Sequence, residues 1–198
     1  MTWKDITLQQ YEDILQILQD ESDDFIRTSR VVKVVFDINL EEIPITEING
    51  YFKEISDLLN KPIQKNKPKK KYKIGNNTYV LNKFEDMNLA QFMDYHELSK
   101  DVDNNINKIC AIFLIPEGKK YNTDYSLEDV EQDMWNLPIE DVTGIAFFQV
   151  GQLKKLLKNS LSSLIAQMIT MKGMNWKQKK ETIKALYRVW QSMDYLIS

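Results

Sequence analysis

Apolar residues recur at three- and four-residue spacing along most of this chain, which is the pattern of amphipathic helices. Tyr11, Ile14, Leu15 and Leu18 share one face of a helix expected from Leu8 to Gln19. Thr7 and Gln10 precede that face as a Thr-x-x-Gln capping box, which satisfies two of the amides a helix start leaves open. Ser22 and Asp23 are candidate caps for a second helix carried by Phe25, Ile26, Val31, Val32, Val34, Val35 and Phe36. Leu40 to Ile43 reads as one turn. Thr46 is the expected cap of a helix through Ile48, Phe52, Ile55, Leu58 and Leu59.

The period breaks between Lys61 and Lys73, where two prolines stand among seven lysines: Lys61, Lys65, Lys67, Lys69, Lys70, Lys71 and Lys73. Like charges repel and proline blocks helix, so this tract reads as an extended, solvated linker. Tyr72-Lys73-Ile74 and Thr78-Tyr79-Val80-Leu81 then alternate around Gly75-Asn76-Asn77, a small β-hairpin signal. Helical spacing returns after Asn88, through Leu89, Phe92, Met93 and Leu98. It resumes after Asp103 with Ile106, Ile109, Cys110, Phe113 and Leu114, and must stop near Pro116. Ser126 with Asp129 opens a short helix to about Trp135. A long helix is expected from Ile139 to about Met171, bent near Gly144 or Gly151, and a last one from Trp176.

Two stretches echo each other. Trp3-Lys4-Asp5-Ile6-Thr7-Leu8-Gln9-Gln10-Tyr11-Glu12-Asp13 is matched 81 positions later by Phe84-Glu85-Asp86-Met87-Asn88-Leu89-Ala90-Gln91-Phe92-Met93-Asp94. Ile43-Pro44-Ile45-Thr46-Glu47-Ile48 is matched 94 positions later by Leu137-Pro138-Ile139-Glu140-Asp141-Val142, so a second copy would carry an insertion of 13 residues. Duplicated helical units usually build scaffolds and binding surfaces. The expected fold is mainly α, with two related helical units, 1–60 and 84–198, joined by a lysine-rich linker and hairpin at 61–83.

Composition narrows the class. The chain has 198 residues, 43% hydrophobic and 28% charged, with 6 glycines and 5 prolines, as an ordinary helix-rich domain does. A net charge of −3 gives no global attraction to nucleic acid. A single cysteine, Cys110, excludes an intrachain disulfide and points to a reducing compartment. The polar start lacks the apolar core of a signal peptide, and no run reaches the ~18 apolar residues of a membrane span.

Catalytic signatures are weak. His96 is the sole histidine, whereas zinc sites generally need three or four ligands. Cys110 sits among Ile109, Ile112 and Phe113, as a small core residue does. A Cys–His nucleophile pair has no local signature. The acidic runs Asp20-Glu21-Ser22-Asp23-Asp24 and Glu128-Asp129-Val130-Glu131 fall at helix starts, where they complement the macrodipole. Paired acids also serve metal-dependent nucleases and glycosidases, so an enzyme stays open as the distant alternative. No phosphate-cradling loop, dinucleotide fingerprint or nucleophile elbow is present. No cofactor is expected.

Two segments carry candidate binding residues. Lys69, Lys70 and Lys71 either sit in a solvated linker or dock on an acidic surface. Trp176, Tyr187, Trp190 and Met193 either close a core or form an interface, where aromatic and Met side chains dominate.

The opening Met-Thr-Trp-Lys-Asp-Ile-Thr-Leu-x-Gln-Tyr resembles the start of small proteins encoded by tailed phages and prophages of gut Bacteroidetes. So do Ala111-Ile112-Phe113-Leu114-Ile115-Pro116-Glu117-Gly118-Lys119-Lys120-Tyr121-Asn122 and the downstream Leu137-Pro138-Ile139. The resemblance runs to about Leu157. It implies a non-enzymatic tail-morphogenesis factor, similar to tail assembly chaperones, or a permanent virion part such as a connector or ring protein. Its expected partners are other phage structural or tail proteins, or copies of itself, with no membrane and no nucleic acid. Its expected place is the cytoplasm of the host bacterium during assembly, or the virion.

Overall fold

The computed structural model describes residues 1–64, 66–170 and 176–196, with the side chains at 157, 168, 187 and 189–196 outside the description. The chain divides into two compact units: residues 1–82 with 87–146, and residues 83–86 with 147–198. The fold is mainly helical with one small antiparallel sheet, as expected.

The first unit opens with a 3-10 turn at Trp3–Asp5 and then α1, Leu8–Asp20. Thr7 caps α1: its hydroxyl accepts from the Gln10 amide, and the Gln10 side chain accepts from the Thr7 amide. Asp23 caps α2, Asp24–Phe36, through the Ile26 amide at 2.9 Å. Its β-branched valines remain helical because Val31 and Val32 are fully buried, and tertiary burial outweighs a propensity of a few tenths of a kcal/mol. Asp37, left-handed at φ 55°, ends it. A 3-10 turn at Leu40–Glu42 leads to α3, Ile45–Leu59. Thr46 is not the cap of α3. Pro44 holds that position, and the helix begins two residues earlier than expected.

β1 (Lys71–Ile74) and β2 (Asn77–Leu81) form the expected hairpin, with Gly75 at φ 56° in its turn. A third strand was not legible. After α4 (Leu89–Leu98) and α5 (Val102–Phe113), the chain passes directly into β3, Leu114–Pro116, which pairs with β2. Asp101 rather than Asp103 precedes α5, and non-helical dihedrals at Asn105 kink it. The helix expected from Ser126 is shorter than predicted. Ser126 and Asp129 do bond at 2.8 Å, but α6 spans only Glu131–Met134.

α7 runs Ile139–Thr170 and contributes its first turns, through Ala146, to this unit. The start of the chain is joined to that point: the Leu8 amide donates to Leu137 O at 2.7 Å and the Ile139 amide to Ile6 O at 2.9 Å. One core collects Ile6, Leu8, Ile14, Ile55, Leu58, Tyr79, Phe113, Met134, Leu137 and Ile145.

The lysine tract is anchored rather than free. Trp3 Nε1 donates to Lys61 O at 2.7 Å, Asn66 Nδ2 to Glu140 Oε2 at 2.6 Å, and Lys69 Nζ to Asp141 Oδ2 at 2.8 Å. Gly144 lets the strap lie flat on α7, since a Cβ there would meet Asn66 O at 2.5 Å. Close approach, rather than a bend, is what that glycine permits.

The two echoing stretches share local form and not surroundings. Each has a 3-10 turn, a two-residue connection and a capping-box helix. Yet Leu8 is buried, while Leu89 is 77% exposed. Likewise α3 and α7 each start directly after a proline, but Ile45 is 82% exposed and Ile139 buried. Equivalent packing, which duplication required, is not found at these leucines and isoleucines.

The second unit holds a 3-10 turn at Phe84–Asp86, the remainder of α7, and α8, Trp176–Leu196. Lys179 Nζ donates to Ile169 O at 2.6 Å, tying the start of α8 to the end of α7.

Candidate functional site

Three surfaces of the first unit hold chemistry worth weighing. The first is an apolar groove of about 370 Å3 between α2, the Leu40–Glu42 turn and α3. Phe25, Ile26, Ile38, Leu40 and Ile48 line it, with Arg30 and Lys33 on its rim. Helix α2 has more apolar residues than one face can bury. Val31 and Val32 face the core, so Phe25, at 62% exposure, and Ile26 are left toward the groove. Phe25 is steadied by an edge contact with Phe52, ring centroids 5.4 Å apart. Arg30 lies 3.8 Å from Glu21, and the Glu21 side chain also accepts from the Asp23 amide. Sequence reading placed these apolar residues on α2 but did not single them out. The crowding of seven apolar residues on a 13-residue helix is the signal that would have done so.

The second surface is the lysine strap. Lys69 and Lys71 are ion-paired, to Asp141 and Glu117 respectively, and both remain more than half exposed. Lys70 is exposed, and its carbonyl accepts from the Leu81 amide at 3.0 Å. Lys69 also stands 5.6 Å over the Tyr72 ring, and its amide donates to the Tyr72 hydroxyl. Burial pushes that hydroxyl up to about 12, against the opposing pull of the Lys69 amide. Glu140 and Asp141 are buried carboxylates in the first turn of α7, where the macrodipole favours negative charge.

The third is a polar cavity of about 610 Å3 beside the hairpin, lined by Asn77, Thr78, Tyr79, Tyr125 and Asp129 among others. Most of its polar groups are committed internally, but the buried Tyr125 hydroxyl has no hydrogen-bond partner among the described residues. The Tyr79 hydroxyl and Asn77 Nδ2 both donate to Asp133 Oδ2, the Lys120 amide donates to Asp124, and Ser126 to Asp129. Burial raises the pKa of Tyr79, Tyr121 and Tyr125 alike, so these phenols stay protonated, and Tyr79 and Tyr121 donate to Asp133 and Asp94. Asp129 is held below the usual carboxylate range by the Ser126 amide and hydroxyl.

Cys110 is buried, and desolvation pushes its thiol up to about 12, far from the thiolate a nucleophile requires. His96 is exposed in the last turn of α4. Trp176 is 69% exposed at the start of α8. The side chains of Tyr187, Trp190 and Met193 lie outside the described residues. Among the described residues, no three His, Cys, Asp or Glu side chains are grouped to hold a metal ion. Among them, too, no helix is long and apolar enough to cross a membrane. No protein-family model, no curated protein and no solved structure matches this chain.

Proposed function

We propose that this chain is a non-enzymatic bacteriophage assembly or structural protein that binds other phage proteins through apolar helical surfaces, in the manner of a tail assembly chaperone. The observation that supports binding is the groove of Phe25, Ile26, Ile38, Leu40 and Ile48, an apolar strip bordered by Arg30, Lys33 and Glu41. An apolar strip bordered by polar side chains is a form that protein interaction sites take. Leu89 and Met93 on α4, and Trp176 on α8, add exposed apolar side chains at helical positions. The phage assignment rests on the resemblance of residues 1–11, 111–122 and 137–139.

A chaperone of this kind covers aggregation-prone surface on a partner until the partner is built in. A permanent connector or ring component would use the same surfaces for good. Mass spectrometry of purified virions, beside affinity capture from infected cells, tests the reading. Capture of a phage tail or head protein supports it, and absence from virions then selects the chaperone form. Absence from both virions and phage-protein complexes overturns it.

A further inference from the structure

We propose that the outer edge of β1 is a docking strip for an extended acidic segment of a partner protein, which adds to the sheet as a fourth strand. This deepens the assembly reading by naming a partner's chemistry, and it rests on that reading for its biological setting. β1, Lys71–Ile74, stands at the rim of a sheet ordered β1-β2-β3. The register fixes which backbone groups face outward. Leu81 N donates to Lys70 O at 3.0 Å, and Lys71 pairs with Val80, Tyr72 with Tyr79, Lys73 with Thr78. Hydrogen-bonded and non-bonded pairs alternate along an antiparallel ladder, so the N–H and C=O groups of Lys71 and Lys73 point away from β2. β2 satisfies the same alternation on its other side, where Glu117 N donates to Thr78 O and Asn82 N to Phe113 O. An outward row of two donors and two acceptors is the template that strand addition uses.

The strip is preorganised. Tyr72 and Ile74 are buried and pin the strand, while Lys71 and Lys73 are exposed. The strap that leads into it is fastened at Asn66 and Lys69. Charge then selects the occupant. Lys61, Lys67, Lys70 and Lys73 are exposed and, among the described residues, have no acidic partner at ion-pair distance. Lysines on an edge repel neutral and basic strands, because docking would desolvate their charge without compensation. An acidic strand removes that penalty. Side chains alternate across a strand, so a segment with an acid at every second residue would present them together on the lysine face. A polynucleotide fits less well: the strip has no arginine, and its one aromatic, Tyr72, is buried and unavailable for base stacking.

The test is fluorescence anisotropy with the full chain and a labelled Glu-Val-Glu-Val-Glu-Val peptide. Expected are saturable binding, weakening as ionic strength rises, and a loss of about two- to five-fold in Lys73→Gln, the scale of one exposed ion pair. The Gln-Val analogue loses three such pairs, so it should bind at least about ten-fold more weakly. A Glu-Val peptide N-methylated at alternate residues keeps the charge and loses the ladder, so it too should bind weakly, with the protein untouched. Equal binding of the N-methylated peptide overturns strand addition. Equal binding of the Gln-Val peptide, tighter binding of a single-stranded oligonucleotide, or no binding overturns the acidic-strand assignment. Those outcomes leave the assembly reading standing, because particle mass spectrometry and capture decide that separately.

Discussion

Gln10 and Gln91, 81 positions apart, make the same two hydrogen bonds in their own surroundings. Each side-chain oxygen accepts from its helix's capping residue, Thr7 N at 3.0 Å and Asn88 N at 3.1 Å. Each side-chain nitrogen donates to a carbonyl near the end of the following helix, Val34 O at 3.1 Å on α2 and Ile112 O at 3.1 Å on α5. One amide thus closes a helix start and ties it to the partner helix's C-terminal turn, where carbonyls lack intrahelical donors.

The two glutamines differ in burial, and that sets their energies apart. Gln91 is buried, so Gln91→Ala strands the Ile112 carbonyl away from water. The expected loss is about 1–3 kcal/mol, the cost of an unsatisfied buried acceptor. Gln10 is part-buried, and water can replace it, so Gln10→Ala should cost about 0.5–1.5 kcal/mol. Urea unfolding of both variants checks the order, and a larger loss at Gln10 would contradict it.

A second contrast tests the limits of the repeat. Leu8→Ala removes a buried side chain and should cost about 2–5 kcal/mol. Leu89→Ala, at a position 77% exposed, should stay within about 0.5 kcal/mol of the parent. Equal losses would mean that the two leucines share an environment after all.

The lysine strap should resist trypsin in the parent, because its fastenings keep the backbone on the body. Gly144→Ala brings a Cβ to 2.5 Å from Asn66 O and should push the strap off. The expected result is a loss of about 1–3 kcal/mol, as for other overpacked contacts, with early cleavage between Lys61 and Lys73. Time-resolved digestion read by mass spectrometry follows both chains. First cleavage in this tract of the parent would show that the fastenings do not hold.

Stability should fall in two steps as pH rises. The folded Cys110 thiol is raised from 9.0 to about 12, and Tyr72 from 10.0 to about 12. A group raised on folding keeps its stabilising effect below its unfolded pKa and loses it as pH climbs through the folded one. The unfolded state then binds fewer protons, so stability falls with pH, first above about 9 through Cys110 and further above about 10 through the tyrosines. The slope contributed by each group approaches about 1.4 kcal/mol per pH unit. Cys110→Ala should delay the onset to about pH 10, where tyrosine ionises. Urea midpoints against pH measure it, and an unchanged onset would remove the thiol from the account.

What was legible in the sequence follows from the range of each signal. Thr7 and Asp23 act within three residues, and each caps its helix as expected, whereas Thr46 does not, because α3 already starts behind Pro44. The Tyr72 and Tyr79 alternation is local too, and the hairpin stands. β3 was hidden because Leu114–Pro116 takes its partner from Leu81 and Tyr79, more than thirty residues back, after an apolar run that continues a helix pattern. The lysine tract looked free because its charges are indeed exposed. What holds it is an Asn, a backbone carbonyl and two acids at 140 and 141, which no charge count reveals. The repeat shows the same divide: caps recur because they are local, and burial differs because Leu8 and Leu89 meet different neighbours. The groove escaped notice since a sequence shows that α2 is over-supplied with apolar residues but not which of them the core leaves out.

Ile26 decides whether that groove is a working surface. It lines the groove and is about half exposed, so it contributes little to the core. Ile26→Ser should therefore leave stability within about 1 kcal/mol of the parent, as surface changes do. If the groove takes a partner helix, the same change removes one of its apolar anchors, and a fully desolvated anchor is worth about 2 kcal/mol or more, or roughly thirty-fold in affinity. Val32→Ser is the counterpart on the core-facing side of α2. Its side chain is fully buried, so it should unfold the protein before it affects any contact. Melts of both variants, run beside capture from infected cells, separate the cases. A stable Ile26→Ser chain that has lost its phage partner assigns the groove. One that keeps the partner in full moves the interface to α4 or α8, where Leu89, Met93 and Trp176 are the next exposed apolar residues to replace.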